Sequence, residues 1–116
     1  MQGIYFHIPY CLSKCRYCDF YSLGGSAAVP QEYVDALLRE LARLRWQLPG
    51  APDTLYFGGG TPSLLRPAQL AQLVDAAQPA AGAEITLEAN PETLTPALLH
   101  GFLAAGVNRL SLGVQT

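Results

Sequence analysis

Three cysteines, Cys11, Cys15 and Cys18, are the only ones in the chain, and they fall on one short stretch. An odd number so tightly grouped makes a poor disulfide framework. In a reducing compartment such a group more often holds a metal or does redox chemistry. The stretch reads Cys11-Leu-Ser-Lys-Cys15-Arg-Tyr-Cys18, a CxxxCxxC spacing on a loop. Three thiolates on a compact loop can hold three corners of a [4Fe-4S] cubane and leave the fourth iron without a protein ligand. That open iron can take a small molecule. A closed zinc site is the competing reading, and it needs a fourth ligand from His7, Asp19 or His100.

The other residues suited to chemistry are grouped as well. They are His7-Ile8-Pro9, Gly58-Gly59-Gly60-Thr61-Pro62, Glu88-Ala89-Asn90-Pro91 and Gln115. The glycine run lacks the Lys-Ser/Thr ending of a P-loop and the spacing of GxGxxG. It can let another molecule's polar groups meet bare backbone, or it can be a tight turn. Glu88 sits in an otherwise apolar run. It either faces the inside of a barrel or ends a strand as a solvated carboxylate. His7 is a structural histidine or a ligand, and His100 falls at the surface.

These groups need elements to position them. Apolar, β-prone runs predict strands at Gly3 to Ile8, Asp53 to Phe57, Glu84 to Ala89 and Val107 to Gly113. Val34, Leu37, Leu38, Leu41 and Leu44 recur at helical spacing after Pro30, which suits a first helical position. Leu70, Leu73, Val74 and Ala77 mark a second helix starting near Pro67. Leu98, Leu99, Phe102 and Leu103 mark a third, with Thr95 as N-cap and Gly106 as its close. The order β-α-β-α-β-α-β with short connections predicts parallel strands joined by right-handed crossovers. A doubly wound sheet and part of a (β/α) barrel both satisfy it. Every chemically suited group falls at the C-terminal end of a strand, and in a parallel barrel those ends share one rim. The chain stops just past the fourth strand, so we read it as the first part of a longer barrel. A small complete α/β domain is the alternative.

Composition excludes several classes. Half the 116 residues are hydrophobic, which argues against disorder. Only 14% are charged, with a net charge of -2 and Lys14 as the single lysine. That balance gives no basic footprint for nucleic acid. No apolar stretch approaches the roughly 20 residues that span a bilayer. Met1 to Tyr10 carries no Lys or Arg, so no secretory signal is supported and a cytoplasmic location is expected.

Taken together, the stretches Gly3 to Cys11, Cys11 to Phe20, Leu55 to Pro62, Leu87 to Pro91 and Val107 to Gln115 resemble the radical S-adenosylmethionine (SAM) superfamily. Within it they resemble the branch of oxygen-independent coproporphyrinogen III oxidase. The resemblance implies an α/β fold, the N-terminal part of a partial TIM-type barrel with about four strands and three helices. It makes residues 1–116 the N-terminal portion of a radical SAM core domain. It implies that Cys11, Cys15 and Cys18 ligate a [4Fe-4S] cluster whose open iron chelates SAM. Tyr5 and Tyr17 would line the SAM site. Gly59, Gly60 and Thr61 would meet its methionine end, and Glu88 and Gln115 would make further contacts. Transfer of one electron to the sulfonium would give methionine and a 5′-deoxyadenosyl radical. The oxidase carries a fourth cysteine two residues after the third, where this chain has Phe20. The Cys18-Asp19-Phe20 ending is similar to a sister group proposed to bind heme and hand it to acceptor proteins. The resemblance therefore implies a heme chaperone, with an oxidoreductase of the coproporphyrinogen III dehydrogenase type as the alternative. Implied partners are heme or porphyrin, a heme-acceptor protein and a reducing partner such as flavodoxin or ferredoxin. A zinc-stabilised interaction module is a third class.

Overall fold

There are four strands, β1 at Gly3–Ile8, β2 at Thr54–Gly59, β3 at Glu84–Ala89 and β4 at Arg109–Leu112, the first three carrying β-branched residues, joined in β1 and β2 by aromatics, and the last alternating leucine with polar residues. Between them lie α1 at Gln31–Arg45, α2 at Pro67–Ala77 and α3 at Pro96–Ala105. The structure, a computed structural model, describes residues 2–10 and 28–112. All strand pairs are parallel, and the strand order is β1-β2-β3-β4. A doubly wound sheet reverses its order part-way along, and this one does not. With right-handed crossovers, a monotonic order puts every helix on the same side, as in a barrel wall. The helices accordingly pack in sequence, α1 on α2 and α2 on α3.

The core lies between sheet and helices. Phe6 and Ile8 from β1, Leu55 and Phe57 from β2, and Ile85 and Leu87 from β3 are buried there. They meet Val34 and Leu41 of α1, Leu70 and Leu73 of α2, and Phe102 of α3. The rings of Phe6 and Phe57 stack with centroids 4.5 Å apart, joining the first two strands across the layer. Strand alternation then turns Tyr5, His7, Tyr56, Gly58, Thr86, Glu88, Arg109 and Ser111 to the opposite face. Tyr5 is 56% exposed there and Thr86 only 1%, so among the described residues that face is open at β1 and covered at β3.

Several local expectations shift. Pro30 is the N-cap of α1 and not its first residue. Its extended backbone (ψ 143°) still directs the chain into the helix. α1 ends at Arg45, one residue past Leu44, the last of its apolar stripe. Leu44 and Leu103, expected in the apolar stripes, are 43% and 52% exposed. Both lie in the last turn of a helix, and helical period alone does not say how far a neighbour reaches along it. β2 runs two residues past Phe57, into the glycines, because Gly58 and Gly59 keep pairing with His7 and Ile8. Short 3-10 turns at Pro62–Leu64 and Pro91–Thr93 follow β2 and β3 and were not expected. Thr95 caps α3 as expected, its hydroxyl accepting from Leu98 N at 3.1 Å.

Candidate cofactor site

The C-terminal ends of β2, β3 and β4 enclose a groove of about 190 Å³. Gly59, Gly60, Thr61, Glu88, Asn90 and Ser111 contribute to its lining. Each arrives by a different local device. Gly59 ends β2 with φ at +115°, a backbone that side-chain-bearing residues rarely adopt. That turn aims Gly60 N at Ile8 O (2.9 Å) and Thr61 N at Tyr10 O (2.6 Å). The glycine turn is thereby tied to the segment that leads into the cysteines. Asn90 shapes the next turn, its Oδ1 accepting from Glu92 N at 3.0 Å. Ser111 stands beside Glu88 in the β3–β4 register.

Glu88 is half-buried on the face away from the helices. Both of its carboxylate oxygens are engaged. Tyr56 donates its hydroxyl to Oε2 at 2.7 Å, and Gly59 N donates to Oε1 at 3.2 Å. Of the two orientations open from sequence, the inward one is found. A carboxylate has about four lone-pair sites, so two remain for a donor in the groove. Tyr56 in turn carries the ring of Tyr5, stacked at 5.9 Å and 18°. Tyr5 also meets His7 Nδ1 through its hydroxyl at 3.3 Å.

The structure therefore brings Gly59, Gly60, Thr61 and Glu88 together in one groove and sets Tyr5 one layer below, through Tyr56. Cys11, Cys15, Cys18, Tyr17 and Gln115 lie outside the described residues, as does Asp19. His7 and His100 do not share a site, since His7 is on β1's open face and His100 on exposed α3. Among the described residues no three His, Cys, Asp or Glu side chains gather as a metal site. Sequence reasoning missed Tyr56 as the partner of Glu88. Its parity with Gly58 put it on the site face, but the partner lies on another strand. Among the described residues no helix is long and apolar enough to cross a membrane.

The Tyr56 hydroxyl has a pKa raised above its ordinary value of 10.0, chiefly because ionisation would forfeit its hydrogen bond to Glu88. A hydrogen bond with Ser111 and the charge of Arg109 act the other way. A raised folded pKa means this contribution to stability is fully present below about pH 10 and fades as pH rises through the folded value. In alkaline absorbance titrations, the difference between the native chain and Tyr56→Phe should have a midpoint above 10. A midpoint at or below 10 would show that the bond to Glu88 is not held.

Comparison with known proteins places this geometry. The radical SAM superfamily pattern matches residues 5–116. The heme chaperone HemW of Buchnera aphidicola subsp. Schizaphis graminum is 40% identical over 120 residues, covering 98% of this chain and 32% of that protein. HemW of Escherichia coli K12 is 42% identical over 120 residues, with the same coverage of 98% and 32%. The solved structure of coproporphyrinogen III oxidase (HemN) from Escherichia coli, described as a radical SAM enzyme, superposes with a TM-score of 0.77. It is 34% identical and covers 98% of this chain and 28% of that one. The chain thus spans about a third of the length of the curated relatives it matches (32%). Its four parallel strands and three helices match part of that enzyme's barrel, which settles the choice left open between barrel and doubly wound sheet. Because the superfamily pattern runs from β1 to the last residue and these relatives agree over the same span, the chain belongs to the radical SAM superfamily, whose members bind a [4Fe-4S] cluster and SAM.

Proposed function

We propose that residues 1–116 are the N-terminal portion of the radical SAM core of a cytoplasmic heme chaperone, a protein that binds heme and transfers it to acceptor proteins. The carrying observation is Cys18-Asp19-Phe20, with phenylalanine where the oxidase branch has its fourth cysteine. Relatives named as heme chaperones, at 40% and 42% identity, support it. Cys11, Cys15 and Cys18 would hold the cluster. SAM would place its methionine end against Gly59, Gly60 and Thr61, with Tyr5, Tyr17, Glu88 and Gln115 as further contacts.

The described part of this set fits such a ligand. Gly59 and Gly60 line the groove without side chains, so the turn presents bare backbone where a zwitterion can approach. The Glu88 carboxylate supplies the negative charge and free lone pairs that an ammonium or hydroxyl donor requires. When bound, the cluster and SAM would supply one-electron reductive cleavage of a sulfonium. The chain's own residues bind and orient: the glycine turn fixes the ligand's polar end, and Glu88 fixes a donor. Tyr5 and Tyr56 provide an aromatic floor beneath them.

The test uses the whole protein, reconstituted anaerobically with iron and sulfide. Its dithionite-reduced electron paramagnetic resonance signal is expected to shift on adding SAM. It should bind heme stoichiometrically, release it to an acceptor protein and leave coproporphyrinogen III unchanged. SAM-dependent decarboxylation of coproporphyrinogen III would favour the oxidase instead, the reading that the HemN structure at 34% identity supports. Zinc in place of iron and acid-labile sulfide would remove both.

A further inference from the structure

We propose that Tyr56 is a positioning residue for this site: its hydroxyl fixes the Glu88 carboxylate in the one orientation that keeps Oε1 on Gly59 N and turns the remaining lone pairs into the groove. The proposal rests on the reading of the rim as the SAM site and names a residue that acts there without facing the ligand. Tyr56 does not line the groove, whereas Glu88 does.

The geometry is a chain of three strands. β1 supplies the Tyr5 ring, β2 the Tyr56 ring beneath it, and β3 the carboxylate. Tyr5 and Tyr56 are directly paired in the β1–β2 register, so the stack is built into the sheet and not borrowed from a loop. Gly58 makes room for it. A Cβ there would sit 2.8 Å from the Tyr5 hydroxyl oxygen and 3.0 Å from Tyr56 Cε1. With the ring stacked on Tyr5, the hydroxyl lies between Glu88 and Ser111, donating to the carboxylate and hydrogen-bonded to the serine. Glutamate has three side-chain torsions, and an untethered carboxylate loses that freedom when a ligand binds. Anchoring both oxygens to β2, one through the Tyr56 hydroxyl and one through Gly59 N, removes the loss beforehand. Freezing one such side chain in advance corresponds to roughly 3- to 10-fold in affinity.

The experiment measures SAM affinity in the anaerobically reconstituted whole protein, with iron content and the SAM-free resonance signal as controls. Tyr56→Phe keeps the ring, and hence the stack, and removes only the hydroxyl. It is expected to leave the cluster signal unchanged and to weaken SAM binding roughly 3- to 10-fold. In a Glu88→Ala background the same change should have a much smaller effect, because only the hydrogen bond to Ser111 is then left to lose. Native affinity in Tyr56→Phe, or equal losses with and without Glu88, overturns the proposal. A native protein with a full cluster and no SAM binding overturns the reading of the rim itself, and the two failures are distinct.

Discussion

Anaerobic reconstitution of Cys15→Ala is expected to return close to no iron or acid-labile sulfide, and no reduced-cluster resonance. Three thiolates are the fewest that hold a cubane with one open iron, and two do not assemble it stably. Cys15 is the middle donor of the CxxxCxxC stretch, so its loss separates the remaining pair as well. The scaffold should survive the change. Both flanks of the cysteine segment are held independently of any metal: Tyr10 O accepts from Thr61 N at 2.6 Å, and Val29 O accepts from the buried Gln69 Nε2 at 3.0 Å. The variant should therefore show native far-ultraviolet circular dichroism with an empty cluster site. Iron and sulfide at native levels would remove the assignment of the three cysteines.

Gly59→Ala should have the largest effect of any single methyl group added to the rim. The position combines φ at +115° with contacts at 2.9 Å to Ile8 O, 3.0 Å to Ile8 N and 3.0 Å to His7 Nδ1. Two of those are backbone atoms of the paired strand, and Ile8 O already accepts from Gly60 N. Neither can move aside without unzipping the end of β1 and β2. Backbone strain and overpacking together correspond to about 3 kcal/mol. Gly82→Ala is the control, since Gly82 also has positive φ (+78°) but nothing within 4 Å. It should cost about 1 kcal/mol from strain alone. Urea denaturation of the four proteins (native, two variants and the pair combined) separates strain from collision. Equal losses at the two positions would show that Gly59 is only a turn.

Much of this arrangement is legible from residue order because it depends on local rules. β1 and β3 fall at their expected bounds, since apolar runs flanked by polar or proline residues have little freedom to begin elsewhere. Thr95 and Gly106 mark the two ends of α3 as expected. The inward Glu88 was one of two readings that its place in an apolar run left open, the other being a solvated strand end. What order alone did not supply is the register between strands. Tyr56 and Glu88 are 32 positions apart and meet only because Phe57 pairs with Leu87. The exposed Leu44 and Leu103 fail for a related reason: periodicity chooses a face of a helix, and only the neighbouring helix decides which turns of that face are covered.

The monotonic strand order has a consequence for how the chain assembles as it is made. Each strand pairs with the one synthesised just before it, so no strand must be inserted between two already joined. The first closure is the widest, Gly3 with Thr54, and the next two are progressively narrower, Thr54 with Glu84 and Thr86 with Arg109. Loop-closure entropy rises with the length enclosed, so the first zipper is the slow one and later units dock on a ready template. That first zipper ends in the bonds from Gly60 and Thr61 to Ile8 and Tyr10. On a ribosome, which delivers the chain from its N-terminus, the glycine turn and the near flank of the cysteine segment would be aligned before β3 brings the carboxylate to meet them.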